Sequence, residues 1–134
     1  MASTALGPPL LCIVDRAYRG AVEVQFFDTL YGLLDLHGQF ERVDVVLRGA
    51  AVTMAVAEDT YRPSVRLGTM ELDTLPDYRT SVRELVAEGC TVFVDEQALT
   101  ALGFAPEQLV PGTVCISSTA LARRWPEYDQ VWFL

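Results

Sequence analysis

Lysine is absent from this sequence, so all ten positive side chains are arginines, and histidine occurs once, at His37. Without lysine the chain cannot form a Schiff base with a carbonyl substrate or supply the lysine of a Walker-type phosphate loop. A single histidine also excludes a metal site built from several histidines. These absences remove several large classes of enzyme before any pattern is considered.

Several functional motifs are missing as well. The sequence has no Gly-x-Gly-x-x-Gly run for a dinucleotide and no Gly-x-Ser-x-Gly turn for a nucleophilic serine. No apolar stretch approaches the ~18 residues of a membrane span, and residues 1–9 lack the positive charge of a signal peptide. A net charge of -8 leaves no basic face for nucleic acid. We therefore expect a cytoplasmic protein without cofactor or metal that binds neither membranes nor nucleic acid.

The three cysteines, Cys12, Cys90 and Cys115, are widely spaced and odd in number. That pattern does not fit a disulfide framework or a zinc site and favours reduced thiols. Cys12 and Cys115 fall inside predicted strands, where we expect them to be buried and inert. Cys90 starts a predicted strand, so we expect it to react slowly. It is the one candidate catalytic residue, although it lies at the unusual end of the sheet for a site.

What the sequence does contain is enough apolar surface for one domain, because 51% of its 134 residues are hydrophobic. We place that domain over residues 1–134, with a loose tail at 1–8. Short apolar runs predict strands over 10–14, 43–47, 91–94, 114–116 and 130–133. Helical patterns fall between them, over 21–36, 50–57, 78–88, 96–102 and 118–125.

Strand and helix alternate along the whole chain without a hairpin signal. This order predicts an α/β fold, a three-layer α/β/α sandwich around a mostly parallel five-stranded sheet, flavodoxin-like in outline. The segment 58–77 has no clear period, so it is either functional or contains a short element that the pattern does not resolve.

The first predicted helix, over 21–36, has an unusually wide apolar surface. Val22, Phe26, Leu30 and Leu33 form one stripe on a helical wheel, and Val24, Phe27 and Tyr31 lie beside it. The apolar arc spans roughly 200°, against the ~100° that a surface helix needs. Either a neighbouring helix of the same domain or a second subunit covers the additional surface.

Candidate site residues follow the predicted strands, because open parallel sheets bind ligands beyond the carboxyl ends of their strands. These residues are Asp15, Arg16, Arg19, Arg48, Asp95 and Ser117. Arg16 and Arg19 precede a helix start, where free N–H groups favour an anion. The functional interpretation is a small anionic or persulfide-bearing ligand. The structural alternative is that the arginines form surface ion pairs with Asp15 and Asp95.

Residues 88–103, read as EGCTVFVDEQALTALG, resemble a helix–Gly–strand–short helix–Gly unit of the DsrE/DsrF/DsrH family, which includes the TusBCD sulfur-relay subunits. The ending YDQVWFL over 128–134 is similar to the closing strand of that family. The opening strand, polar loop, long helix and second strand are compatible with it, so the resemblance extends over nearly the whole chain. It implies the DsrE/F-like sandwich and a role in passing persulfide sulfur between proteins.

Active members of this family carry the persulfide cysteine at the end of the third strand, which in this sequence is Asp95. A carboxylate cannot hold a sulfane sulfur, so the resemblance implies a non-catalytic or divergent subunit, and more a partner than an enzyme. It also implies a homo- or hetero-oligomer, a trimer or hexamer with DsrE/F-like chains, and contact with a sulfur-carrier protein.

Two alternatives to that function remain open. One is a small-anion-binding or regulatory oligomeric module that uses the same rim, by which we mean the candidate residues beyond the carboxyl ends of the strands. The other is a sulfurtransferase-type persulfide carrier that uses Cys90 or Cys115.

Overall fold

A computed structural model describes residues 6–17, 28–57, 64–74, 77 and 79–134. Arg19 and most of the first half of the helix predicted over 21–36 lie outside these ranges, so neither prediction is tested there.

Within the described ranges, seven strands form two sheets. The strands are β1 (Leu10–Val14), β2 (Val43–Leu47), β3 (Val65–Leu67), β4 (Met70–Leu72), β5 (Thr91–Asp95), β6 (Val114–Ile116) and β7 (Gln130–Phe133). Five of them form one sheet in the order β6-β5-β2-β1-β7, and every neighbouring pair is parallel. Continuous apolar runs form these strands because helices cover both faces of a parallel sheet. The predicted α/β fold is confirmed.

The described helices are α1 (Thr29–Leu36), α2 (Arg79–Ala87), α3 (Glu96–Ala101) and α4 (Ser118–Arg124). Single turns of 3₁₀-helix cover His37–Gln39, Pro106–Gln108 and Trp125–Glu127, and a longer 3₁₀ segment covers Gly49–Ala55, where an α-helix was predicted over 50–57. Three helices begin at a side chain that accepts backbone N–H bonds: Asp28 for α1, Asp95 for α3 and Ser117 for α4. Such caps satisfy donors that have no partner inside the helix.

The core has two parts, one on each face of the sheet. On the first face, alternate strand residues pack against α1, α2, α3 and the Gly49–Ala55 segment. On the second face a smaller cluster, with Ile13, Val46 and Phe93 at its centre, packs against α4 and Tyr128. Strand side chains alternate between the two faces. The face of each residue at a strand end therefore follows from the face of the core residue two positions before it.

The second sheet is a hairpin, which contradicts the expectation that the chain contains none. β3 and β4 pair in antiparallel fashion inside the unassigned segment 58–77. Gly68 takes the left-handed conformation, with φ at +64°, at the first position of the two-residue turn. Glycine adopts this conformation without steric cost, so a Gly-x pair favours such turns.

Two boundaries also differ from the prediction. Gly7, assigned to the loose tail, is hydrogen-bonded on both sides: its N–H donates to Gln39 O and its C=O accepts from Glu41 N. Described helix α1 begins at Thr29 with Asp28 as its extended N-cap, so the helix predicted over 21–36 is not continuous through residue 28. Its residues Leu30 and Leu33 are buried as the helical wheel predicted, whereas Tyr31 is exposed.

Candidate functional site

The carboxyl edge of the sheet carries a row of polar residues on its second face. Ile13, Val46 and Phe93 belong to the second-face core, so the residues two positions later, Asp15 and Arg48 after their strands and Asp95 at the end of β5, follow on the same face. Their strands are neighbours in the order β5-β2-β1. The residues predicted at three strand ends therefore stand side by side.

The centre of this row is an ion pair between Arg48 and Asp15. Arg48 Nε lies 2.8 Å from Asp15 Oδ1, and Nη2 lies 3.2 Å from Oδ2, which is the two-point geometry favoured by guanidinium and carboxylate. The hydrogen bond to Asp15 raises the pKa of Arg48 against the effect of burial, and the charges of Asp15 and Asp95 raise it further. Arg48 is thus a fixed cation between two carboxylates.

An exposed aromatic ring lies beside this ion pair. The Arg48 guanidinium carbon is 6.0 Å from the centre of the Phe133 ring, and Phe133 ends β7 with 63% of its surface exposed. Charge and π-face contact at this distance is weakly attractive. The site therefore combines an ion pair with the apolar, solvent-exposed ring of Phe133.

Asp95 caps helix α3 from the end of β5. Its Oδ2 accepts the backbone N–H of Ala98 at 3.3 Å, and the side chain is partly buried. The predicted position at the carboxyl edge of the sheet is confirmed. As a cap, Asp95 satisfies one backbone N–H donor of the helix. Its charge helps to raise the pKa of Arg48, although Asp95 does not make the direct contact with Arg48 that Asp15 makes.

The other predicted rim residues are less closely joined to this row. Arg16 is exposed, and the carboxylate of Asp15, which we considered as its partner, is bound to Arg48 instead. Ser117 caps α4 by accepting the Ala120 N–H at 3.1 Å. It also lines an open groove of about 570 Å³ together with Glu96, Gln97, Thr100 and Ala101.

All three thiols are poor candidates for a thiolate. Burial, and then the neighbouring Cys90, raises the pKa of Cys12 to about 12, and Cys12 is fully buried in β1. Burial, followed by the charges of Asp44 and Glu88, raises the pKa of Cys90, which is 8% exposed. A reactive thiol needs the opposite, namely partial exposure and a nearby cation.

Cys115 corrects one expectation about accessibility. It was predicted to be buried, but it is partly exposed because β6 is an edge strand. Cys90, expected to be the more accessible of the two, is buried. Burial raises the pKa of Cys115, and the charges of Glu96 and Glu107 raise it further. Its greater exposure therefore does not make it a better nucleophile.

A second polar cluster, which the sequence did not predict, is centred on Asp44 in β2. This carboxylate is 1% exposed and accepts a hydrogen bond from the Tyr128 hydroxyl. Arg42 Nε and Arg124 Nη2 lie 3.4 and 3.5 Å from its Oδ2. Burial, and then the bond to Asp44, raises the pKa of Tyr128 to about 12 although Arg124 opposes the shift. The cluster joins β2 to the chain that enters β7, so we assign it a structural role.

Two further features bear on the kind of site. In the described part of the chain, no set of three or more histidine, cysteine or acidic residues is arranged to hold a metal ion. No helix among the described residues combines the length and the apolar character that crossing a bilayer requires.

The architecture just described defines a class: a five-stranded parallel sheet of order β6-β5-β2-β1-β7 between helices. Known structures share it. The ychN protein from E. coli is 17% identical, with a TM-score of 0.72 over 94% of this chain and 98% of YchN. MTH1491 from Methanobacterium thermoautotrophicum, described as a protein of unknown function, is 18% identical, with a TM-score of 0.66 over 92% of this chain and 97% of its own.

At these identities the likeness establishes the fold. No protein-family model matches the sequence, and no curated protein matches it.

Proposed function

We propose that this chain is a DsrE/F-like subunit of an intracellular sulfur-trafficking system that does not itself carry the persulfide. One observation carries the proposal: Asp95 occupies the end of β5, where the family that residues 88–103 resemble places its relay cysteine, and it caps α3 there. The fold shared with YchN supports the assignment. The chain would assemble with DsrE/F-like chains and face a sulfur-carrier protein.

The chemistry of the rim favours a partner over a carrier. In a relay step, a thiolate attacks the outer sulfur of a donor persulfide and the donor leaves as a thiolate. That step needs an accessible thiolate at the rim. Cys12 and Cys90 are buried. Burial, with the charges of Glu96 and Glu107, raises the pKa of the partly exposed Cys115, so no native thiol meets this requirement. Arg48 keeps its charge while bonded to Asp15, but the group it meets at position 95 is a carboxylate and not a thiol.

Binding of a free anion receives less support from the same contacts. The two N–H groups of Arg48 that face Asp15 are occupied, and Asp95 adds a second negative charge close by. An incoming anion would have to displace Asp15 and approach Asp95. The rim therefore fits a protein–protein contact better than a small-anion site.

Restoring the family residue tests the proposal. We expect Asp95→Cys to gain sulfane sulfur at residue 95 when the protein is incubated with a persulfide donor, because Arg48 favours the thiolate form. Intact and peptide mass spectrometry would locate the added sulfur. The loss of the helix cap should cost roughly 1 kcal/mol, which a folded variant tolerates.

Two matched variants make that result specific. Glu96→Cys places a thiol one residue further on, at an exposed position, and should load several-fold more slowly. Adding Arg48→Met to Asp95→Cys should slow loading as well. A folded Asp95→Cys protein that gains no sulfur, or no more than Glu96→Cys, would contradict a relay-derived site and favour a regulatory binding module.

A further inference from the structure

The outer side of β6 is an open edge of the five-stranded sheet. β6 (Val114–Ile116) pairs with β5, and no strand within the described ranges pairs with its other side. The unpaired N–H and C=O groups of an edge strand offer a template for another chain. Charged side chains and proline commonly protect such edges, but β6 consists of valine, cysteine and isoleucine. Because β6 is short, it accepts only a short added strand.

The second face of this edge is apolar. Ile116 belongs to the second-face core, whereas Cys115 packs against the core of the first face. Because side chains alternate along a strand, Val114 also lies on the second face, and it is 45% exposed. An apolar side chain on an added strand would lie beside Val114 and remove that surface from water.

The first face of the same edge is acidic. Burial raises the pKa of Cys115, and the charges of Glu96 and Glu107 raise it further, so both carboxylates lie near the middle of β6. Both glutamates are exposed. Neither takes part in any of the ion pairs that the described part of the chain contains. A cationic side chain on an added strand would therefore meet two carboxylates that have no such partner there.

An open groove begins at the carboxyl end of this edge. Ser117, which follows β6 directly, lines the groove of about 570 Å³ together with Glu96 and the outer side of α3. Gln97 and Thr100 place an amide and a hydroxyl on its wall, and Ala101 adds a small apolar surface. The groove gives room for a chain that continues past the end of β6, with polar groups for its backbone.

Charge favours a different protein over a second copy at this edge. Two copies paired β6 to β6 in one continuous sheet would bring Glu96 and Glu107 of both copies onto the same face. Like charges placed together at an interface oppose association, and each copy carries a net charge of -8. A basic segment of another protein meets the opposite situation, because its cations approach unpaired carboxylates.

We propose that the β6 edge binds an extended, basic segment of a partner protein, which adds a sixth strand to the sheet. The segment has lysine or arginine beside Cys115, facing Glu96 and Glu107. The residues before and after that cation are apolar, and they cover Val114 and the end of the second-face core. Backbone hydrogen bonds supply affinity and alternate side chains supply specificity, as in other strand additions. This site does not depend on the role in sulfur trafficking.

Labelled peptides test the recognition pattern. The probe is a fluorescein-labelled peptide of sequence Ser-Lys-Val-Lys-Val-Lys-Ser, whose lysines and valines fall on opposite faces of an extended strand. One control has glutamate in place of each lysine, and a second has the same composition without alternation. In fluorescence anisotropy we expect saturable binding of the probe that weakens as the salt concentration rises. We expect no binding of the glutamate peptide and weaker binding of the second control.

Matched variants of the protein locate the site. Glu96→Gln combined with Glu107→Gln should weaken binding of the probe roughly five-fold, the effect of losing two exposed ion pairs. Glu84→Gln combined with Glu88→Gln removes the same charge from the groove between α1 and α2 and should leave the affinity unchanged. Val114→Lys places a cation at the exposed edge and should abolish binding. Circular dichroism checks that each variant folds.

Several results would overturn the proposal. These are no saturable binding of the probe, equal binding of the non-alternating peptide, and an unchanged affinity of folded Val114→Lys. Equal weakening by the two double glutamine variants would show a general attraction to an acidic protein instead. Self-association of the wild type that Val114→Lys removes would assign the edge to a second copy.

Discussion

Replacing Asp77 by alanine should lower the free energy of unfolding by about 3 kcal/mol, because it leaves the buried guanidinium of Arg79 without its two-point partner. Arg79 is 1% exposed. Its Nε and Nη2 donate to the two Asp77 oxygens at 2.8 and 2.9 Å, and its backbone N–H donates to Oδ1 at 3.0 Å. Urea unfolding monitored by circular dichroism measures the change.

The matched variants separate loss of charge pairing from loss of packing. Arg79→Met removes the buried cation and leaves Asp77, whose side chain is 26% exposed, free to meet water, so it should cost less than Asp77→Ala. Asp73→Ala, at an exposed position nearby, should change stability by less than about 0.5 kcal/mol. An Arg79→Met variant that is less stable than Asp77→Ala would contradict the argument.

The same pair predicts the direction of a pH effect. Burial acts to raise the pKa of Asp77, but the hydrogen bonds and charge of Arg79 outweigh it and lower that pKa below its usual value of 3.8. The folded protein therefore holds this proton more weakly than the unfolded chain does. The stabilisation is fully present above pH 3.8 and is lost as the pH falls through the lowered value. The stability gap between wild type and Asp77→Ala should narrow in that acidic range.

The second large effect is expected at Asp44. Asp44→Ala should cost about 3 kcal/mol, at the low end for a broken buried ion pair, because Arg42 and Arg124 are partly exposed and can recover hydration. It also leaves the buried Tyr128 hydroxyl without its acceptor. Within the described residues, Asp44 Oδ1 has no hydrogen-bond partner, so the carboxylate is already incompletely satisfied.

A double-mutant cycle tests whether the cluster acts as a unit. Tyr128→Phe alone should cost about 1–2 kcal/mol, since it removes one donor from a buried carboxylate. Combined with Asp44→Ala it should add little, because the two side chains share the interaction that each single variant removes. Additive losses of the two single variants, measured by urea unfolding at an unchanged m-value, would show that the hydroxyl and the carboxylate contribute independently.

The sequence predicted the strands of the five-stranded sheet well, and it predicted the polar contacts at the edge of that sheet less well. Four of the five strands match their predicted bounds, and the fifth, β5, extends one residue further, to Asp95. The strand bounds were predictable because each strand is a continuous apolar run between helical patterns, which is a local property of the sequence. The pairing of Arg48 with Asp15 joins residues 33 positions apart, so it depends on strand order, which local patterns do not contain.

Two misses had a signal in the sequence. Gly68-Thr69 stands between two alternating apolar–polar triplets, which is a hairpin pattern. Each triplet is as short as β6, the shortest strand of the main sheet, and lies in a segment without helical period. Asp44 interrupts the apolar run of β2, and a buried carboxylate in such a run requires partners. One of these partners, Tyr128, is 84 positions away in the sequence. The packing of the second face decides which residues become the partners of Asp44.

The central claim is that this chain carries no persulfide of its own. Intact-mass spectrometry of the native wild-type protein, after incubation with a persulfide donor and followed by peptide mapping, tests it most directly. We predict no added sulfane sulfur at Cys12, Cys90 or Cys115, because burial raises the pKa of each thiol. Stable addition of one sulfur atom to any of these residues in the folded protein would contradict the account and identify the chain as a carrier.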